Sequence, residues 1–264
     1  MPNLPKWPNW PLRHPALEKT DHRPWPLPPS PWVMAMSWHD LAFLHWPVRA
    51  DVLLARIPRG LELDTFENQA YLGIVPFHMT GVRPRWVPPL PGVSSFVELN
   101  VRTYVVAEGK PGVWFFSLDA TSRFAVRGAR RFFHLPYFDA RMSSSRRDGF
   151  VHYHSERIHR GAPEARFAAR YRGTGSAGGS EIERWLTERY CLYAASEDGR
   201  LFRGDIHHPP WPLQNGEVKI ESLDMTRLLD VDLPRKPPLV HFAERLEVVG
   251  WPLRSLASPV VIWL

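Results

Sequence analysis

The chain has 264 residues, 44% of them apolar and 23% charged, an ordinary globular composition that excludes wholesale disorder. Its 33 basic and 27 acidic side chains leave a formal net charge of +6. No window approaches the roughly 18 uninterrupted apolar residues of a membrane-spanning helix, and the single cysteine, Cys191, excludes an internal disulfide and any cysteine-cluster metal site.

Residues 1–31 read as an extended arm, ahead of one domain over 32–264. Nine prolines fall within the first 29 positions, each fixing its own φ and disfavouring helix in the residue before it. The arm has no apolar core of a secretory signal, so a cytoplasmic location is expected. Trp7, Trp10, Trp25 and the adjoining Trp32 would be costly to leave in water. They predict docking along the domain or along a neighbouring subunit, the latter making a homo-oligomer. The alternative is a proline-rich ligand for another protein.

Ala50 to Ile57 suits a short helix stopped by Pro58 and Gly60. LELDTF and QAYLGIVPF flank Glu67-Asn68 and predict a β-hairpin, followed by a Pro/Gly-rich loop over 83–92. Residues 96–106, FVELNVRTYVV, form the clearest strand. Val97, Leu99, Val101 and Val105 fall on one face, and Glu98, Asn100, Arg102 and Tyr104 on the other. VWFFSLDA is its expected antiparallel partner. Ser122 to Phe133 fits a helix carrying Arg127, Arg130 and Arg131. FVHYHSERI and ARFAARYR predict another strand pair. After the glycine-rich run 173–179, Ser180 and Glu183 make a capping box that opens a helix to about Glu188. CLYAAS, RLFRGDIHH, EVKIES, VHFAERLEVVG and VVIWL are strand-like. Strands dominate without regular strand–helix alternation, so an antiparallel β architecture is expected.

Arginine outnumbers lysine 28 to 5, but the arginines are scattered from Arg13 to Arg254 with no nucleic-acid-binding motif, so neither nucleic acid nor membrane is expected as a partner. The row Glu98–Asn100–Arg102–Tyr104 lines either a cavity or a wet surface; in a cavity, its carboxylate and guanidinium could pair and orient a bound carboxylate or carbonyl. His152, His154 and Glu156 alternate onto one strand face, a weak candidate for a mixed metal site. Gly173, Gly175 and Gly178 match G-x-G-x-x-G, but no βαβ unit surrounds them, so no nucleotide or other cofactor is expected. Cys191 lies in an apolar stretch and reads as a buried structural thiol.

From about Arg23 onward the chain resembles the YqjF-like family, a branch of the acetoacetate decarboxylase-like superfamily. The resemblance runs through RPWPLPPSPWVMAMSWHDLAFLHWPV, GLELDTFENQAYLGIVPF, FVELNVRTYVV, GKPGVWFFSLDA, ARRFFHLPYFDARM, LTERYCLYA and IHHPPWPL, in order over some 240 residues. It implies a mainly β fold: an antiparallel β-barrel or cone enclosing a cavity, with a few short helices outside. Acetoacetate decarboxylases carry a Schiff-base lysine in a short arginine-then-Pro-Lys motif, assisted by a glutamate on a preceding strand. Here the corresponding stretch is Arg130 through Leu135-Pro136-Tyr137, with tyrosine where the lysine would stand, and Glu98 matches the strand glutamate. None of Lys6, Lys19, Lys110, Lys219 and Lys236 has the sequence setting of a buried amine.

The resemblance therefore implies a pocket formed by Glu98, Asn100, Arg102, Arg130 and Tyr137, with aromatic walls from Phe115, Trp114 or Trp211. Arginine would hold an anionic or carbonyl oxygen, Glu98 would act as a general base, and the Tyr137 hydroxyl as a hydrogen-bond donor or weak acid. The expected protein binds a small carbonyl or carboxylate compound, as an acid/base enzyme of the lyase, hydratase or isomerase kind. The alternatives are a non-catalytic ligand-binding module and an interaction protein acting through the Trp/Pro arm.

Overall fold

The computed structural model describes residues 14–256. Twelve strands form one sheet: β1 (Met34–Val48), β2 (Glu62–Leu63), β3 (Ala70–Pro84), β4 (Phe96–Ala107), β5 (Lys110–Ala120), β6 (Tyr137–Arg147), β7 (Phe150–Arg157), β8 (Arg166–Ser176), β9 (Cys191–Ala195), β10 (Leu201–His207), β11 (Gln214–Leu223) and β12 (Leu239–Ser255). Three helices accompany them: α1 (Ala50–Leu54), α2 (Arg123–Phe133) and α3 (Glu181–Thr187). The helix and strand predictions after residue 96 hold, apart from VVIWL, which lies outside the described residues together with Trp7, Trp10 and Lys6.

The sheet closes on itself twice. One circuit of paired strands runs β5-β6-β7-β8-β11-β12-β1-β3-β4 and returns to β5; the other runs β12-β1-β3-β4-β5-β9-β10 and returns to β12. The strands β12, β1, β3, β4 and β5 are common to both. Because successive side chains leave a strand on opposite faces, a shared strand serves two interiors. On β4, Leu99 and Val101 enter a packed core with Leu44, Ile74 and Phe167, while Phe96 and Tyr104 pack with Phe43, Phe77 and Phe115. Both faces are thus buried, and the whole is the cone-like, mainly β architecture expected.

Three local features depart from the sequence reading. Glu67 and Asn68 both have positive φ, 50° and 62°, as a tight hairpin turn requires, yet only a Phe66–Gln69 bridge closes it, and β2 pairs with β4 instead. The first half of the glycine-rich run belongs to β8: Gly173 and Gly175 pair with Gly216 and Asn215 of β11. Gly173 leaves no room for a Cβ, which would fall 2.0 Å from Gln214 Oε1. Finally, β5 pairs in parallel with β6 and with β9, two short exceptions to an otherwise antiparallel sheet.

The described part of the arm packs on this same chain. Ala16 and Trp32 are buried with Ala35, Val249 and Trp251. Arg23 donates to the Ile206 carbonyl at 2.6 Å and lies over the Tyr190 ring. Cys191 is fully buried, and burial pushes its thiol up to about 12, an inert setting.

The capping box at α3 is present in full: Ser180 Oγ accepts from the Glu183 amide and Glu183 Oε2 accepts from the Ser180 amide. Replacing Ser180 by alanine is expected to cost about 1 kcal/mol of stability, read as a lower urea midpoint at unchanged slope.

Candidate functional site

The second circuit is not filled. A cavity of about 390 Å³ lies inside it, walled mainly by apolar side chains of β1, β3, β4, β5, α2 and β12. Phe96, Glu98, Asn100 and Arg102 of β4 all line it, so the polar row of alternate residues faces a cavity rather than water. Five buried polar atoms on its wall have no hydrogen-bond partner: Trp38 Nε1, Asn100 Oδ1, Arg102 Nε, Arg189 Nη2 and Asp205 Oδ1. Buried polar groups are normally satisfied, so these atoms keep hydrogen-bonding capacity directed at the cavity.

Glu98 sits at the centre of the row, 3% exposed. Tyr137 Oη donates to its Oε2 at 2.7 Å, and Tyr153 Oη donates to its backbone carbonyl at 2.5 Å. Burial pushes the Glu98 carboxyl up to about 8; the Tyr137 hydrogen bond opposes this, and the nearby Asp119 carboxylate adds to it. Burial first, and Glu98 second, hold the Tyr137 hydroxyl well above its ordinary range. Asp119 is committed elsewhere: it takes both Arg157 Nε and Nη2 at 2.7 Å, with both side chains out of solvent. Glu98 makes no ion pair with Arg102, and its proton-sharing partner is Tyr137.

Two guanidinium groups meet at the far end of the row. Arg102 lies over the Phe43 and Tyr104 rings, and Arg189 over Tyr104 from its own side, 4.7 Å from the ring centre. Arg189 is held by the Trp185 carbonyl and by Asp64 at 2.5 Å, while its Nη2 has no partner. Burial lowers the Arg189 pKa against the pull of Asp64, and the neighbouring Arg102 lowers it further. Asp64 pairs with Arg189, and Arg102 makes no ion pair among the described residues. Tyr104 is turned away, hydrogen-bonded to His45 Nε2 at 2.6 Å. Burial, with Arg102 and His241 adding to it, holds His45 well below the usual imidazole range, so it is neutral.

Phe115 and Trp211 line the cavity, the latter anchored by its Nε1 on the Thr187 carbonyl at 2.8 Å and stacked on Trp38. Two expected members do not. Arg130 points out of the cavity; its Nη1 donates to the Tyr137 carbonyl at 2.9 Å and so holds the strand that carries the tyrosine. Trp114, one residue from Phe115, leaves β5 on the opposite face and packs with the cluster around Val105 and Tyr193. His152, His154 and Glu156 do share a strand face, but Glu156 is paired with Arg141 and Arg166 from the flanking strands, and no group of three metal-ligating side chains converges among the described residues. Arg189, Asp205 and His208 also line the cavity and went unread. They sit at strand ends, in LTERYCLYA and RLFRGDIHH, where no alternation marks a facing direction.

This cavity inside a twelve-stranded cone defines a protein of the acetoacetate decarboxylase-like fold. Acetoacetate decarboxylase from Legionella pneumophila superposes with a TM-score of 0.63 at 13% identity, covering 91% of this chain and 95% of that one. The enduracididine biosynthesis enzyme MppR, complexed with the condensation product of pyruvate and imidazole 4-carboxaldehyde, gives 0.59 at 13% identity, covering 86% and 90%. At the sequence level the chain belongs to the DUF2071 family, described as an uncharacterised conserved protein, whose model matches residues 35–247. It is 45% identical over 232 residues to the uncharacterised protein YqjF of Bacillus subtilis, covering 87% of this chain and 95% of that protein. No helix among the described residues is long and apolar enough to cross a membrane.

Proposed function

We propose that the cavity binds an organic carboxylate carrying a carbonyl group and exchanges a proton on the carbon beside that carbonyl, without a Schiff base. The observation that carries this reading is the meeting, in one largely apolar cavity, of the Arg102 and Arg189 guanidinium groups and a carboxyl group raised by burial to about 8. Arg102, backed by Arg189, takes the ligand carboxylate. Glu98 in its ionised form accepts the carbon-bound proton and returns it, while Tyr137 stabilises that form through its hydrogen bond; a base with pKa near the working pH is the effective one. A Schiff base is disfavoured because tyrosine occupies the expected lysine position, and none of the described lysines lines the cavity. The MppR structure holding a pyruvate-derived compound is consistent with this class of ligand.

The test uses 3-oxohexanoate. Replacing Arg102 by glutamine is expected to weaken its binding by about 10–100-fold in calorimetry, the worth of a charge-assisted hydrogen bond. In D2O the wild type exchanges the protons between the two carbonyl carbons in a rate that rises with pH up to about 8, as Glu98 ionises. The Glu98→Gln variant leaves them at the background rate. Unaltered exchange in that variant would remove Glu98 from the chemistry.

A further inference from the structure

The polar groups occupy only part of the cavity. Four cavity-facing residues of β4 run in order from Arg102 through Asn100 and Glu98 to Phe96. At about 3.4 Å per residue this row is on the order of 20 Å long. Beyond Glu98 the wall turns apolar. Phe96 pairs with Met79, Met79 with Trp38, and Met36 follows on the same face of β1. Ala125, Ala129 and Phe133 of α2 pack with this group, and Phe132 of the same helix lines the cavity and is yet 71% exposed, which places an opening beside the helix.

The volume has a consequence for the ligand. At about 30 Å³ for each water-sized group, 390 Å³ holds about a dozen non-hydrogen atoms. A four-carbon acid, with about six or seven non-hydrogen atoms, would leave about half of that space unoccupied. Methionine thioethers are unbranched and adaptable, and they suit a flexible chain better than a rigid ring.

We infer that the ligand is a medium-chain monocarboxylate, its head group on Arg102 and its hydrocarbon chain running past Glu98 into the Met36/Met79/Phe96 compartment toward α2. The head-group assignment rests on the reading above; the chain assignment rests on the shape and lining of the cavity alone.

The straight-chain acids butanoate, hexanoate, octanoate and decanoate probe this by calorimetry. Affinity rises about fourfold for each buried methylene until the compartment fills. Gly128 of α2 supplies the control. It lines the cavity, and a Cβ built there meets nothing within 4 Å, so Gly128→Phe starts its side chain in open space on the face of α2 that lines the cavity. That variant is expected to weaken decanoate by about tenfold or more and butanoate by less than about twofold. Its melting temperature is maintained or raised, because glycine is a poor residue in a helix interior.

Butanoate and decanoate binding equally well would overturn the chain assignment and leave the carboxylate reading standing. Octanol binding as tightly as octanoate would overturn the head group and leave the compartment standing. Failure of every acid to bind would overturn both.

Discussion

Replacing Glu98 by glutamine is expected to stabilise the protein at alkaline pH. The unfolded chain releases this proton near the usual glutamate value of 4.5, whereas the folded protein holds it up to about 8. Between those values the native state binds more protons, so stability falls as pH rises through the window. Each pH unit of retention corresponds to about 1.4 kcal/mol, and the full cost, on the order of 5 kcal/mol, is present above pH 8. Glutamine is neutral throughout, nearly isosteric, and its carbonyl can still accept from Tyr137. Urea unfolding at pH 4, 6 and 9 should show the variant matching wild type at the lowest pH and exceeding it increasingly above. Buried histidines such as His207 and His208, whose pKa values burial depresses to about 4 and about 3, act in the opposite sense but equally in both proteins. The difference therefore isolates Glu98, and parallel curves would refute the assignment. A carboxyl kept at such a cost is what the proposed role of Glu98 as a base requires.

Removing the Asp119 carboxylate should have a comparable effect of opposite sign. Arg157 and Asp119 face each other through two contacts of 2.7 Å, with side chains 1% and 0% exposed, and the guanidinium lies 4.2 Å over the Phe138 ring. Asp119→Ala strands a buried cation, for which about 3–5 kcal/mol is the expected loss. In a chain of this size that lowers the melting temperature by about 10 °C. Pairing the change as Asp119→Leu with Arg157→Met should recover most of the loss, because two apolar side chains need no partner. A single variant as stable as wild type would show that the pair is not the buried bridge its geometry describes. The two sites are also linked. Asp119 raises the Glu98 pKa, so its removal should shift the pH at which proton exchange levels off downward.

How much of this was legible in the sequence follows from how regular each strand is. The alternation on β4 is unbroken, and Glu98, Asn100 and Arg102 of the polar row line the cavity, while Tyr104 is turned to His45. On β1 it breaks. Met34, Met36 and Trp38 line the cavity with even numbers, but after Asp40, at φ 52°, the lining residues are Leu41 and Phe43. One residue is inserted relative to β3, which pairs His39 with His78 but Leu44 with Ile74. Arg146 and the Tyr171 hydroxyl hold the bulge from strands distant in sequence, so no local pattern announces it. β6 was also unread, since its second half, SSSRR, carries no apolar face. The placing of Glu98 and Tyr137 in one pocket comes from the family resemblance, because neither composition nor spacing links residues 39 positions apart; their hydrogen bond is visible only in the structure. Arg130 illustrates the converse error: a helix places it by the motif, but its reach to the Tyr137 carbonyl is a backbone matter.

The strands common to both circuits separate two kinds of inheritance. Along β4, residues 98, 100 and 102 line the cavity, while residues 99 and 101 pack in the filled half. Under the proposed function, point substitution at the first set should change the ligand while leaving the contacts of the second set in place. A single inserted or deleted residue in the same strand would exchange the two sets, carrying a carboxyl and a guanidinium into the dry core. Lineages of this architecture should diverge in chemistry by replacement along these strands and vary in length only at the loops between them.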